Sequence, residues 1–256
     1  MLDRPLHYYF EVIVVLAQKD FKVRYRNSVL GFLWSLLNPL AYMAILTLVF
    51  SFLLKSSIPN FSAWLLVGLL VWRFFSIGTS QSLFSIIGNP SLVTKVYIPR
   101  YMIVLSNNIA NFTGAALEFL VLVPLLAALG VNLTVYALFL APILILEFLL
   151  VFGLSLSLSS LNLKYRDFSQ LWEIALQLGF FLSPIVYDAS LVPERFQLFY
   201  SLNPVTRLIE SARDIFLRHE LPSLFDNAVI ISGVVIFLLI GLLIFRRFER
   251  RFAEEL

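Results

Sequence analysis

No cysteine occurs among the 256 residues, which excludes a disulfide framework, a thiolate metal site and a cysteine nucleophile. Histidine is nearly as scarce, and His7 and His219 stand too far apart in sequence to suggest a metal centre. Charge is thin as well. Asp, Glu, Lys and Arg make up 14% of the chain, where a soluble domain carries about 25%. The ten glycines never fall in the order G-x-x-x-x-G-K-[ST], so no P-loop for nucleotide is present. The start does not read as a cleaved signal, because Asp3, Arg4, Glu11, Lys19 and Asp20 interrupt it.

Apolar residues fill the space these absences leave. They form 60% of the chain and come in long unbroken runs, which predicts an all-α polytopic membrane protein. The run 27–54 is free of charge, and as a helix it would measure about 42 Å against a hydrocarbon core of about 30 Å. Six spans are expected, at about 28–54, 61–87, 101–129, 133–161, 168–187 and 227–245, in a single transmembrane domain covering 1–256. The stretch 101–163 is divided by the turn residues Gly130, Val131 and Asn132. Six spans place both termini on one side. That side, with the loops 88–100 and 164–167, collects thirteen Lys and Arg against five on the other, with Arg73 inside a span. The excess marks the cytoplasmic face of an inner membrane.

Three segments are neither spans nor plain loops. In 6–26, His7, Glu11, Gln18 and Lys22 share one helical stripe opposite Tyr8, Val12, Val15 and Leu16, which predicts an interfacial helix or a simple topological anchor. In 89–99, Asn89 can cap, Pro90 suits the first helical position and Pro99 forbids continuation. Leu92, Val93, Val96 and Tyr97 would offer apolar knobs beside Lys95 and Arg100, either to a soluble partner or to the chain's own bundle. In 191–217, Pro193 and the pair Asn203-Pro204 read as helix starts. After Pro204, Leu208, Ile209 and Ala212 would pack inward while Arg207, Glu210 and Arg213 face water. Too short to span, these two helices are expected as a re-entrant external pair, or else as a hairpin on the outer surface.

Arg73, Glu118, Glu147 and Glu173 are costly inside a bilayer and are functional candidates, as a proton relay or as interhelical and interfacial pairs. Aromatic residues make up 15% of the chain, and their faces could let a sugar polymer slide. Phe32, Trp34 and Tyr42 on the first span, with Phe168, Trp172 and Phe180 on the fifth, are the pathway candidates; the competing role is an aromatic belt at the interfaces.

The run DFKVRYRNSVLGFLWSLLNPL at 20–40 resembles the entry to the first span of ABC-2 type permeases of the polysaccharide export group. NPSLVTKVYIPR at 89–100, LKYRDF at 163–168, Ser183-Pro184, and Asn203-Pro204 with Arg213 are similar to that group in the same order. The likeness spans essentially the whole chain and is strongest to permease subunits of O-antigen exporters, with teichoic-acid and capsule exporters nearly as similar. It implies a type V exporter-like half-transporter: a homodimer of this permease with two copies of a cytoplasmic ABC ATPase, in membrane lipid, moving a lipid-linked polysaccharide. It implies a coupling helix at 89–100, an interface helix at the amphipathic start and external gate helices at 191–217. ATP and Mg would sit on the partner ATPase, with no cofactor, catalytic residue, metal or nucleic acid on this chain. No carbohydrate-binding domain is expected after Leu256. Two rival classes fit less well. A proton-driven secondary transporter would show internal repeats and broken helices in matching halves, and a membrane transferase would need a polar catalytic cluster, to which only Lys164, Arg166 and Asp167 come close.

Overall fold

The computed structural model describes residues 5–26, 28–53, 55 and 58–256, and these are helices and connecting turns, with no strand among the described residues. The amphipathic start forms α1 (Leu6–Tyr25), followed by α2 (Leu33–Thr47), which continues in wide π-type turns over Leu48–Leu53. Next come α3 (Phe61–Ser82), the short α4 (Pro90–Lys95) and α5 (Tyr101–Ala128). Tight turns at Val135–Phe139 lead into α6 (Leu140–Lys164), then α7 (Phe168–Leu182). Two short helices, α8 (Glu194–Leu202) and α9 (Pro204–Arg213), precede α10 (Leu224–Glu249) and the terminal turn α11 (Phe252–Glu255).

The α3 helix is apolar on every side, and a helix of that kind belongs inside a bundle. It is buried along nearly its whole length, with α2, α5, α6, α7 and α9 packed around it. A second close pairing joins α6 to α10, where small residues let two backbones meet. A Cβ added to Gly241 would lie 2.1 Å from the Gly153 carbonyl oxygen, so only glycine permits this crossing. One large apolar core surrounds α3, and a smaller one at the α4 end gathers Ile86, Val93, Ile103, Leu163, Phe245 and Phe252.

Among the described residues, five helical stretches are long and apolar enough to cross a membrane: Leu33–Ser51, Phe61–Ser82, Tyr101–Ala128, Val135–Lys164 and Leu224–Glu249. The chain is therefore a multi-pass membrane protein. The expected span 168–187 differs. Its helix stops after 15 residues, about 22 Å, because the backbone turns extended at Ser183 ahead of Pro184. The segment 61–87 likewise leaves regular helix at Ser82, and 227–245 lengthens to Leu224–Glu249, where Ser223 accepts the Asp226 amide at 3.1 Å and caps the start. In 89–99 only Pro90–Lys95 is helical. Asn89 occupies the cap position without capping. Its Nδ2 donates to the Ser85 carbonyl at 2.8 Å and its Oδ1 accepts from Lys19 Nζ at 2.7 Å, which fastens this turn to α1. Pro193 and Asn203-Pro204 do start helices, and Asn203 Oδ1 accepts the Val205 amide at 3.0 Å.

Candidate functional site: an aromatic groove and a seated short helix

The α7 helix has no buried residue, yet its inner edge faces α2 and α3 across a groove of about 570 Å3. Tyr42 and Phe180 line this groove with Trp72, Arg73 and Glu173. Phe180 meets Trp72 edge-on with ring centroids 6.0 Å apart. Trp172 anchors the same wall by donating its indole N–H to Thr79 Oγ1 at 3.1 Å. The remaining aromatic candidates lie elsewhere. Trp34 faces a neighbouring cavity of about 340 Å3 between α1, α2, α3 and α5. Phe32 packs edge-on to Tyr25, and Phe168 sits half-buried at the start of α7. The groove and the cavity share Asn38, Arg73 and Ile77 as a common wall.

That wall carries an ion pair of the bundle interior. Arg73 Nε lies 3.2 Å from Glu118 Oε2, bridging α3 to α5, and Arg73 Nη1 donates to Asn38 Oδ1 at 3.4 Å. Beside them, Arg24 reaches in from α1 to donate to Asn111 Oδ1 at 2.7 Å and to Gln81 Oε1. By sequence Arg24 belongs with Lys19, Lys22 and Arg26 in a basic cluster at the membrane surface, whereas here it points into the bundle; Gln81 and Asn111 were not singled out, although an amide inside an apolar helix was the available signal. The four intramembrane charges do not assemble into a relay. Glu147 is fully buried, with no partner for either carboxyl oxygen among the described residues, while Glu173 is exposed at the groove.

At the opposite end from α4, Leu208, Ile209 and Ala212 of α9 are fully buried against the bundle, as their spacing predicts. Arg213 departs from expectation. Instead of facing water it is 0% exposed, with its guanidinium 3.4 Å from the centre of the Trp64 ring. Its Nη1 donates to the Pro184 carbonyl at 2.6 Å and to Glu210 Oε1 at 2.7 Å, its Nη2 to the Ile185 carbonyl at 3.1 Å, and its Nε to the Trp64 carbonyl at 3.3 Å. The physical reason is twofold. Residues three apart on a helix drift by about 60°, so Arg207 and Arg213 do not share a face. The break at Ser183-Pro184 also frees carbonyls that five fixed N–H donors suit. Room for the guanidinium comes from Gly68, where a Cβ would lie 2.6 Å from Arg213 Nη2.

Arg207 turns away from Glu210. It binds Asp226 of α10 at 2.9 Å and the Ser201 carbonyl at 2.9 Å, while Glu210 takes Arg213 and, at 3.1 Å, Arg218. Pro204 closes the seat against Gly233, whose added Cβ would lie 2.8 Å from the proline ring. Outside this seat a cavity of about 820 Å3 is lined by Asn60, Trp64, Asn132, Tyr187, Asp188 and His219, among others. Hydrogen bonds from Ser190 hold the Asp188 carboxyl below the usual carboxylate range.

At the α4 end, Val93 is 5% exposed and belongs to the smaller core, so it offers nothing to a partner. One turn of helix brings it under the bundle, and Leu92 is half-buried beside it. Lys95, Val96 and Tyr97 are exposed, Tyr97 at 96%. Pro99 and Arg100 are half-buried, and Arg100 donates to the Glu249 carbonyl.

The described residues thus form a multi-pass helical bundle with a groove between α2, α3 and α7 and a short helix packed at each end. Residues 11–217 match the family model described as ABC-2 type transporter, and the chain belongs to that family. It is 34% identical to an O-antigen export system permease protein RfbA of Klebsiella pneumoniae, over 98% of this chain and 97% of that one. A Myxococcus xanthus protein of the same name is 30% identical over 100% of this chain and 99% of its own length. More distant is the polysialic acid transport protein KpsM of Escherichia coli, 21% identical over 91% and 90% of the two chains.

Proposed function

We propose that this chain is the permease subunit of an ATP-driven exporter that moves a lipid-linked polysaccharide of O-antigen type from the cytoplasmic to the external side of the inner membrane. The observation that carries it is likeness over nearly the full chain to permeases named for O-antigen export. The chain transports and does not catalyse, and ATP with Mg is hydrolysed by a separate subunit. Two copies of the permease form the pathway and two copies of the ATPase drive it.

The polymer passes along the α2–α3–α7 groove, over Tyr42, Trp172 and Phe180, with Phe32, Trp34 and Phe168 at its approaches. The short α7, prolonged through 183–187, makes the sixth crossing, and both termini are cytoplasmic. The pair α8–α9 serves as the external gate, with Pro204, Arg207, Ile209, Glu210 and Arg213 forming its seat and rim. Segment 89–100 couples to the ATPase. Because Val93 is interior, the contact face is Lys95, Val96 and Tyr97, while Asn89, Pro90, Leu92, Pro99 and Arg100 set its position. The interface helix α1 is tied to this segment through Lys19 and Asn89. A capsule-type substrate is the second reading, favoured by the weaker likeness to KpsM.

The test is co-purification of the permease with an ABC ATPase encoded beside it, followed by ATP hydrolysis in lipid with and without lipid-linked glycans. Stimulation by an O-antigen-type glycan is expected. Hydrolysis indifferent to every lipid-linked glycan would overturn the proposal.

A further inference from the structure

Beyond the groove and the outer seat, a cavity of about 870 Å3 opens at the α4 end, between segment 93–101 and the last turns of α10. Its floor is apolar: Leu105, Phe152 and Leu242 line it together. Its rim is basic, with Lys95, Arg100 and Arg246 against the one carboxylate of Glu249. Arg100 is committed to the Glu249 main chain. The Lys95 and Arg246 side chains are exposed and form no hydrogen bond or ion pair among the described residues. Leu242 and Leu243 continue the floor onto the exposed flank of α10. A basic rim over an apolar floor that runs out along a spanning helix matches a molecule with a charged head and a hydrocarbon tail. A soluble anion would use the rim and leave the floor bare.

We infer that this cavity binds one anionic phospholipid, its phosphate held by Lys95 and Arg246 and an acyl chain laid along Leu105, Phe152 and Leu242. Basic pockets between helices at the cytoplasmic surface take phospholipid headgroups for this electrostatic reason. The site does not depend on what the protein transports. Lipid held there would fix segment 93–101 against α10, the same segment that the proposed function gives to the ATPase.

The test uses the purified full-length permease in nanodiscs of phosphatidylcholine containing a rising fraction of phosphatidylglycerol with matched chains, read by native mass spectrometry of retained lipid. Wild type is expected to retain phosphatidylglycerol in preference to phosphatidylcholine. The double variant Lys95→Gln with Arg246→Gln should lose about tenfold or more of that preference, as expected for removing two cations near a phosphate. The pair Arg250→Gln with Arg251→Gln, basic residues on the same face outside the cavity, should keep it. A single Arg246→Gln variant, checked by its thermal midpoint, guards against a general loss of structure. Equal retention of the two lipids, or equal loss in both double variants, would overturn the site. So would displacement of the lipid by excess inorganic phosphate, which would make the ligand a free anion. Its expulsion by the added ATPase would reassign the cavity to a protein interface.

Discussion

The helices α9 and α4 are both short and both start at a proline in the first helical position, yet the protein holds them in opposite ways. At α9 the polar anchor is inside. Arg213 reaches three main-chain carbonyls and one carboxylate from a fully buried position, and the apolar residues on either side are buried with it. At α4 only Val93 is buried, with Leu92 half-buried beside it and polar ties at the two ends, Asn89 to Lys19 and Ser85 and Arg100 to the Glu249 carbonyl, while Lys95, Val96 and Tyr97 lie outside. A buried, saturated hydrogen-bond cluster makes any displacement expensive, because each donor or acceptor pulled from its partner loses solvation and bond together. A short helix with one buried side chain and ties that are half-buried or exposed moves more cheaply. The α9 helix is thus held by a cluster that resists displacement, and α4 is held more loosely.

The strongest way to break this contrast is Arg213→Leu. The substitution leaves the mostly buried Glu210 with only Arg218, and strands the carbonyls of Pro184 and Ile185. Removing one partner of a buried charged cluster costs about 3–5 kcal/mol. A clear fall in the thermal midpoint of the purified permease is expected, with ion leak through the idle protein in vesicles. Arg213→Lys should recover part of the stability, since an ammonium restores charge without the planar fork. Full stability in Arg213→Leu would show that the cluster does not hold α9.

Next in size is Gly68→Ala. The new methyl would press on Arg213 Nη2 from 2.6 Å, so the guanidinium must shift off the Trp64 ring. Overpacking of this kind costs about 1–3 kcal/mol. The same leak as in Arg213→Leu, at smaller amplitude, should follow; a leak-free Gly68→Ala with normal stability would mean the seat has slack.

On the α4 side the matching change is Val93→Ala. Two buried methyl groups are lost from the smaller core, worth about 1–2 kcal/mol. Thermal stability should drop modestly with no ion leak, because the α9 seat is untouched. Leak in Val93→Ala would show that the two ends are one mechanical unit and erase the contrast.

Much of this arrangement was legible in the sequence, and the failures have a common cause. Asn203-Pro204 and Pro193 mark helix starts through their own backbone chemistry, so their role survives in any tertiary setting. Long apolar runs such as Phe61–Ser82 declare themselves by length alone. The position of Arg213 was not legible, because a stripe of charges at three-residue spacing looks like a wet face until the freed carbonyls at 184–185 are brought beside it by another part of the chain. Val93 misled for the inverse reason: an apolar residue on a short loop helix points to a partner only when the chain's own core does not reach it. The pairing of Arg73 with Glu118 was one of two open possibilities, and only the approach of α5 to α3 decides it.

The smallest expected effect on stability, and the sharpest on the contrast, belongs to Tyr97→Ala. With 96% of its surface in solvent, the Tyr97 ring holds nothing in the isolated permease, and substitutions at such positions stay within about 0.5 kcal/mol. An exposed aromatic beside Lys95 and Val96 is nevertheless the kind of residue that dominates an interface once covered. If segment 89–100 is where the ATPase docks, Tyr97→Ala should leave the thermal midpoint unchanged while co-purification of the ATPase falls by about tenfold or more, the loss of roughly 2 kcal/mol that such an anchor carries. The ion leak should stay at the wild-type level, since the outer helix keeps its seat. Undiminished ATPase recovery in Tyr97→Ala would place the docking surface elsewhere on this face and leave α4 a loop that merely packs on its own bundle.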